Sequence, residues 1–146
     1  MKFVKLLLII TSGLFATQML AANRYWVSDT TGNWNNTLNW ATSNNGTPGA
    51  SVPNVSDKVY FNGSGIGNCN IDTTISIDGI ITTGYPGEID LKGFSFNIAA
   101  SGISSSNLSE GEFKNTGAAS SIIGTTTGEI IFSGTTFNVP INVVAG

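Results

Sequence analysis

The chain has no histidine and a single cysteine, Cys69. Without histidine there is no Ser-His-Asp or Cys-His machinery and no usual zinc set. With one cysteine there is no internal disulfide, so an exported chain must rely on its core and its backbone hydrogen bonds. Charge is also scarce: Asp, Glu, Lys and Arg make up 10% of the residues. The solvent face must therefore consist of hydroxyls and amides. Such side chains compete for backbone hydrogen bonds and disfavour helices. Long apolar runs are missing after the first residues, which leaves no transmembrane helix there.

The opening residues have a different character. Lys2 and Lys5 form a positive start, and Leu6 to Leu14 is mostly apolar but too short to span a bilayer. Ala21 and Ala22 follow as small residues. This pattern predicts a secretory signal peptide over 1–22, cut after Ala22, and hence a secreted or cell-surface protein. Without Lys2 and Lys5, four basic residues stand against nine acidic ones, a formal net charge of −5. Such a balance offers no footprint for nucleic acid or for an anionic membrane.

What the rest of the chain does have is glycine, asparagine and short alternating runs. Ile71, Ile75 and Ile77 share one parity. Ile89 and Leu91 alternate with Glu88, Asp90 and Lys92, and Phe94, Phe96 and Ile98 alternate with Ser95 and Asn97. Alternation over so few residues predicts short strands with one buried face. Cys69 falls on the Ile71 face and is expected to be buried. A frame of Gly-Glu-apolar, three residues, then Gly begins at Gly87, Gly111 and Gly128, with starts 24 and 17 residues apart. Periods of this size mark stacked coils. The expected fold is all-β: a short right-handed parallel β-helix over 62–146, behind a Trp-rich N-terminal cap over 23–61. A β-sandwich of hairpins is the alternative.

The cap region carries all three tryptophans, Trp26, Trp34 and Trp40. With Tyr25 they form the candidate site. The leading reading is an aromatic plug at the end of the β structure, with these four residues as the core of the cap; the alternative is a carbohydrate-stacking platform of exposed rings. A third reading is a fragment of a polysaccharide-active β-helix enzyme, for which Asp72, Asp78, Glu88 and Asp90 are the candidate carboxylates, but no spacing selects two of them as a glycosidase pair. Asn68, Asn70 and Asp72 alternate like the start of a calcium loop that lacks its glycine and distal glutamate. No catalytic residue, metal ligand or cofactor is therefore assigned. Near the end, residues 136–144 read as an apolar strand, which predicts that further β-coils or another chain cover that end.

Arg24-Tyr25-Trp26-Val27, Gly32-Asn33-Trp34-Asn35, Asn39-Trp40, Gly49-Ala50-Ser51-Val52-Pro53 and Asp57-Lys58-Val59-Tyr60-Phe61 occur in that order. Together they resemble the N-terminal module of secreted bacterial β-solenoid, adhesin-like surface proteins, of the autotransporter-passenger or type IX-exported kind. The resemblance covers Arg24 to Phe61. It implies a non-catalytic, surface-displayed protein that contacts extracellular matrix, glycan or partner chains, and it carries over no catalytic residue.

Overall fold

The structure is a computed structural model that describes residues 20–98, 106–126 and 130–145. The apolar stretch of the expected leader lies outside those residues. The described chain is all-β apart from one 3-10 turn. It opens with β1 (Asn23–Trp26) and β2 (Gly32–Asn33), then the 3-10 turn at Thr37–Asn39, then β3 (Trp40–Ala41) and β4 (Lys58–Tyr60). Next come β5 (Cys69–Asn70), β6 (Ile75–Ile77), β7 (Gly79–Ile81), β8 (Glu88–Asp90) and β9 (Phe96–Ile98). The series ends with β10 (Ser106–Leu108), β11 (Glu112–Lys114), β12 (Ile122–Thr126), β13 (Ile130–Phe132), β14 (Thr136–Phe137) and β15 (Ile141–Ala145).

The strands form three sheets, ordered β13-β10-β7-β4-β1-β3, β14-β11-β8-β5-β2 and β15-β12-β9-β6. From β4 onward each strand pairs in parallel with the strand three places away in the chain. Parallel pairing forbids a tight hairpin and needs a crossover of a dozen or more residues. Here the crossover is two further strands. Antiparallel hairpins, the mark of a sandwich, do not join these strands. The one antiparallel pair among the described residues is β1 with β3, which sets Trp26 opposite Trp40.

The register stacks like on like. Ile75, Phe96 and Ile122 are successive partners, as are Cys69, Ile89, Phe113 and Phe137. In the latter ladder the partners are 20, 24 and 24 residues apart. All but Phe137 belong to one buried hydrophobic cluster, which runs from Trp26 to Val139, and Phe137 packs against it. The expected parities of Ile71, Ile75 and Ile77 and of Ile89 and Leu91 are met, and Cys69 is buried. Burial pushes the Cys69 thiol well above its usual range.

Three details differ from the sequence expectation. Phe94 is 37% exposed, because the chain turns at Lys92-Gly93, where Gly93 has φ +90°, and alternation restarts only at Phe96. Asp90 is buried: its strand ends against the next turn, where Thr116 donates to it. The first two copies of the Gly-Glu-apolar frame stack, with Glu88 opposite Glu112 and Ile89 opposite Phe113. The third does not continue that ladder. Its Ile130 pairs with Ser106 in another sheet, and β14 takes the place beside β11.

Candidate functional site

The Trp-rich start is built by two reversals of the chain. Asn36 caps the 3-10 turn by accepting from the Leu38 amide at 3.0 Å, and the turn delivers Trp40 back against β1. Gly32 leaves room for the Asn39 amide, since a Cβ would lie 2.4 Å from Asn39 Nδ2 and push that side chain aside. That amide donates to Asn33 O at 2.8 Å and ties the loop shut.

Trp26, Trp34 and Trp40 all point into the core, at 0%, 1% and 0% exposure. Trp40 meets Trp34 edge-on at 4.7 Å and Trp26 at 5.2 Å, and Phe61 lies within 6.3 Å of all three rings. Edge-to-face contacts of this kind add about 0.5–1.5 kcal/mol beyond area burial. Trp26 Nε1 donates to Gly67 O at 2.9 Å, and Trp40 Nε1 donates to Trp34 O at 2.7 Å. These indoles therefore have buried faces and backbone partners. None presents a ring face to a sugar.

Tyr25 lies on the other side of β1. It stacks on Tyr60 at 4.6 Å with the planes 15° apart, and both rings are half-buried. Burial and the neighbouring Tyr25 push the Tyr60 phenol above its ordinary value. Of the four candidate residues, three thus meet in one buried cluster, and Tyr25 stands apart at the surface. Tyr85 belongs to the buried cluster although alternation gives no sign of it. Its ring contacts Phe61 at 4.8 Å, and its hydroxyl donates to Gly67 O at 2.8 Å. Burial raises its pKa far above the usual phenol range. Gly84-Tyr85-Pro86 reads as a turn, so sequence alone assigns it no inward face.

The acidic candidates are each held by neighbouring polar groups. Asp72 Oδ1 accepts from the Asn35 amide at 3.0 Å. Glu88 Oε2 accepts from Lys114 Nζ at 2.6 Å and from Asn68 Nδ2 at 2.9 Å. Glu112, opposite Glu88 in the ladder, accepts from Asn138 Nδ2 at 2.6 Å. Burial opposes ionisation of Asp90, but donors from Thr116 and Lys92 outweigh it and hold its pKa at about 2. Asp78 is buried beside Asp57, to whose carbonyl its amide donates at 3.0 Å. Asn68, Asn70 and Asp72 do not converge on a common point: Asn68 turns to Glu88 and Asp72 to Asn35. Among the described residues no group of three Cys, Asp or Glu side chains is placed to hold a metal ion.

Fold and site together define an all-β protein of parallel sheets with an aromatic cluster buried at its N-terminal end. Comparison with known proteins found no matching family model, no similar curated protein and no similar solved structure.

Proposed function

We propose that this chain is a short right-handed parallel β-helix. It is exported by the leader at 1–22 and acts outside the cell as a structural or adhesive element with no catalytic role. The observation that carries this reading is the pairing of every third strand in parallel around a core that takes in all three tryptophans. Parallel strand crossovers are overwhelmingly right-handed, which supports the hand. Residues 23–61 form the cap and 62–146 the coils.

The partner chemistry follows from what the surface offers. Ile131, Phe132 and Ile141 are exposed on β13 and β15, which with β14 form one edge of each sheet. Further β-coils or another chain would add there, while the Asn, Ser and Thr faces suit glycan or surface-protein contact. Carbohydrate binding through exposed tryptophans is the weaker reading, given the buried rings.

The test is fractionation of cells that express the full chain with its own leader. Protein on intact cells or in the medium, open to added protease, is the expected result. Unprocessed protein confined to the cytoplasm would end the export reading. Failure of the exported protein to bind any matrix protein or glycan would end the adhesive one.

A further inference from the structure

The strongest unexplained group outside the aromatic cluster is the carboxylate of Asp57, which is fully buried. Its Oδ2 accepts from the Asn54 amide at 3.0 Å and from Asn54 Nδ2 at 2.8 Å. Its Oδ1 accepts from Ala22 N at 3.0 Å. Those three donors are neutral if Ala22 is an internal residue. The nearest cation is Arg24, whose Nε stands 4.0 Å from Oδ2 and whose guanidinium also donates to Ser51. Burying a carboxylate without a directly bonded cation is costly.

Ala22 is also where the fold begins. Leu20 and Ala21 are exposed, whereas Ala22 is half-buried and its carbonyl accepts from the Lys58 amide at 3.0 Å. A chain cut after Ala22 would lose both of these bonds. Ala21 is as small as Ala22 and serves equally well just before the cut, while the third residue before it is large either way, Met19 for this cut and Leu20 for the other, so the leader pattern does not separate the two.

We propose that the leader is removed between Ala21 and Ala22, so that the new α-ammonium of Ala22 forms a buried ion pair with Asp57. This rests on the export reading and moves the cut expected from the sequence by one residue. In the folded chain Ala22 keeps both of its bonds, and its ammonium would give Asp57 a directly bonded cation beside the more distant Arg24. Arg24 stands 4.0 Å from the Asp57 carboxylate, and Asn54 bonds it directly. Lys58 and Asp78 reach this turn through their backbone amides, which meet the Ala22 and Asp57 carbonyls.

The experiment is intact-mass analysis of the protein exported by cells that express the full chain, followed by acylation of its α-amine, read on the N-terminal peptide. The expected mass is one alanine residue above that of the chain 23–146. A mass equal to 23–146 would overturn the proposal and leave the export reading standing. An uncut chain would overturn both. A carboxylate in direct contact raises an amine's pKa by about 1–3 units. Near neutral pH the α-amine should therefore acylate about tenfold or more slowly than in Asp57→Asn. Equal rates would overturn the ion pair. If Asp57→Asn does not fold, the pH midpoint of acylation of the unmodified protein decides. A midpoint above about 9 supports the pair, and one near the ordinary ~7.7–8.0 overturns it.

Discussion

Gly67 joins three parts of the N-terminal end, and replacing it with alanine tests the packing described above. Its amide donates to Ser28 O at 2.9 Å, and its carbonyl accepts from Trp26 Nε1 at 2.9 Å and from Tyr85 Oη at 2.8 Å. A Cβ on Gly67 would lie 2.0 Å from Thr30 O and 2.3 Å from Thr30 C. These are backbone atoms, so no side-chain rotation relieves the clash. Ordinary contact near 3.5 Å requires a backbone shift of more than about 1 Å, and such a shift pulls the carbonyl from both buried donors. Overpacking costs about 1–3 kcal/mol, and each donor stripped of its partner costs about 1–3 kcal/mol more. Gly67→Ala should thus cost roughly 3–9 kcal/mol, a large part of the ~5–15 kcal/mol that holds a typical domain. At about 3–5 °C per kcal/mol for a domain of this size, the melting temperature should fall by about 10 °C or more. The control is the adjacent Ile66→Ala: Ile66 is 56% exposed, and the change should cost under about 1 kcal/mol. Thermal unfolding by circular dichroism and tryptophan emission measures both. If Gly67→Ala melts within about 3 °C of Ile66→Ala, the close packing of these two turns is wrong.

Other expectations follow from the same geometry. Ile89, 1% exposed between Cys69 and Phe113, should not tolerate Asp, which buries an unpaired charge at a cost of several kcal/mol, whereas Glu88→Gln should cost under about 1 kcal/mol; equal melting temperatures would refute the inward assignment. Acrylamide should quench native tryptophan emission weakly, and quenching near that of the unfolded chain would contradict the buried indoles. Asp90, held at about pKa 2 against an ordinary value of 3.8, lends stability that is present above pH ~4 and is lost as pH falls toward ~2. Asp90→Asn should therefore cost about 2 kcal/mol at neutral pH and flatten the acid limb between those values; an unchanged acid limb would remove the role given to Thr116 and Lys92. Cys69 should resist thiol reagents in the native state and react fully in denaturant, and fast native labelling would count against its burial.

The strands were legible in the sequence wherever side chains alternate, as at Ile71 to Ile77 and Ile89 to Leu91, because a half-buried strand imposes that period. Their stacking was legible in part. Ile89 and Phe113 stand in matching frames, but the ladder continues to Cys69 on one side and Phe137 on the other, and neither carries the Gly-Glu signature. The Gly-Glu-Ile at 128–130 matches by composition, yet Ile130 belongs to another sheet. Register is set by which turns stack on which, and short turns with similar residues leave little trace of that in the chain. The tryptophans were visible as a cluster and read as a buried plug from their large apolar area, but alternation did not show which turn carries each ring inward. Only pairing Trp26 with Trp40 across an antiparallel bridge turns both rings inward. Asp90 shows the limit of parity: alternation sends it outward, and the neighbouring turn then covers it.

The aromatic rings are not evenly distributed along the stack. They run from the sealed indoles of Trp26, Trp34 and Trp40 through Phe96 and Phe113 to Phe137, which is half-buried, and Phe132, which is 44% exposed. In the β-helix proposed above, each strand bonds to its neighbours in the sheet and stability is passed on link by link. Such a molecule should open like a zip with one fixed end. Amide protons of β14 should exchange first and those of β4 last, and the loss of order should travel from Phe132 back toward Trp26.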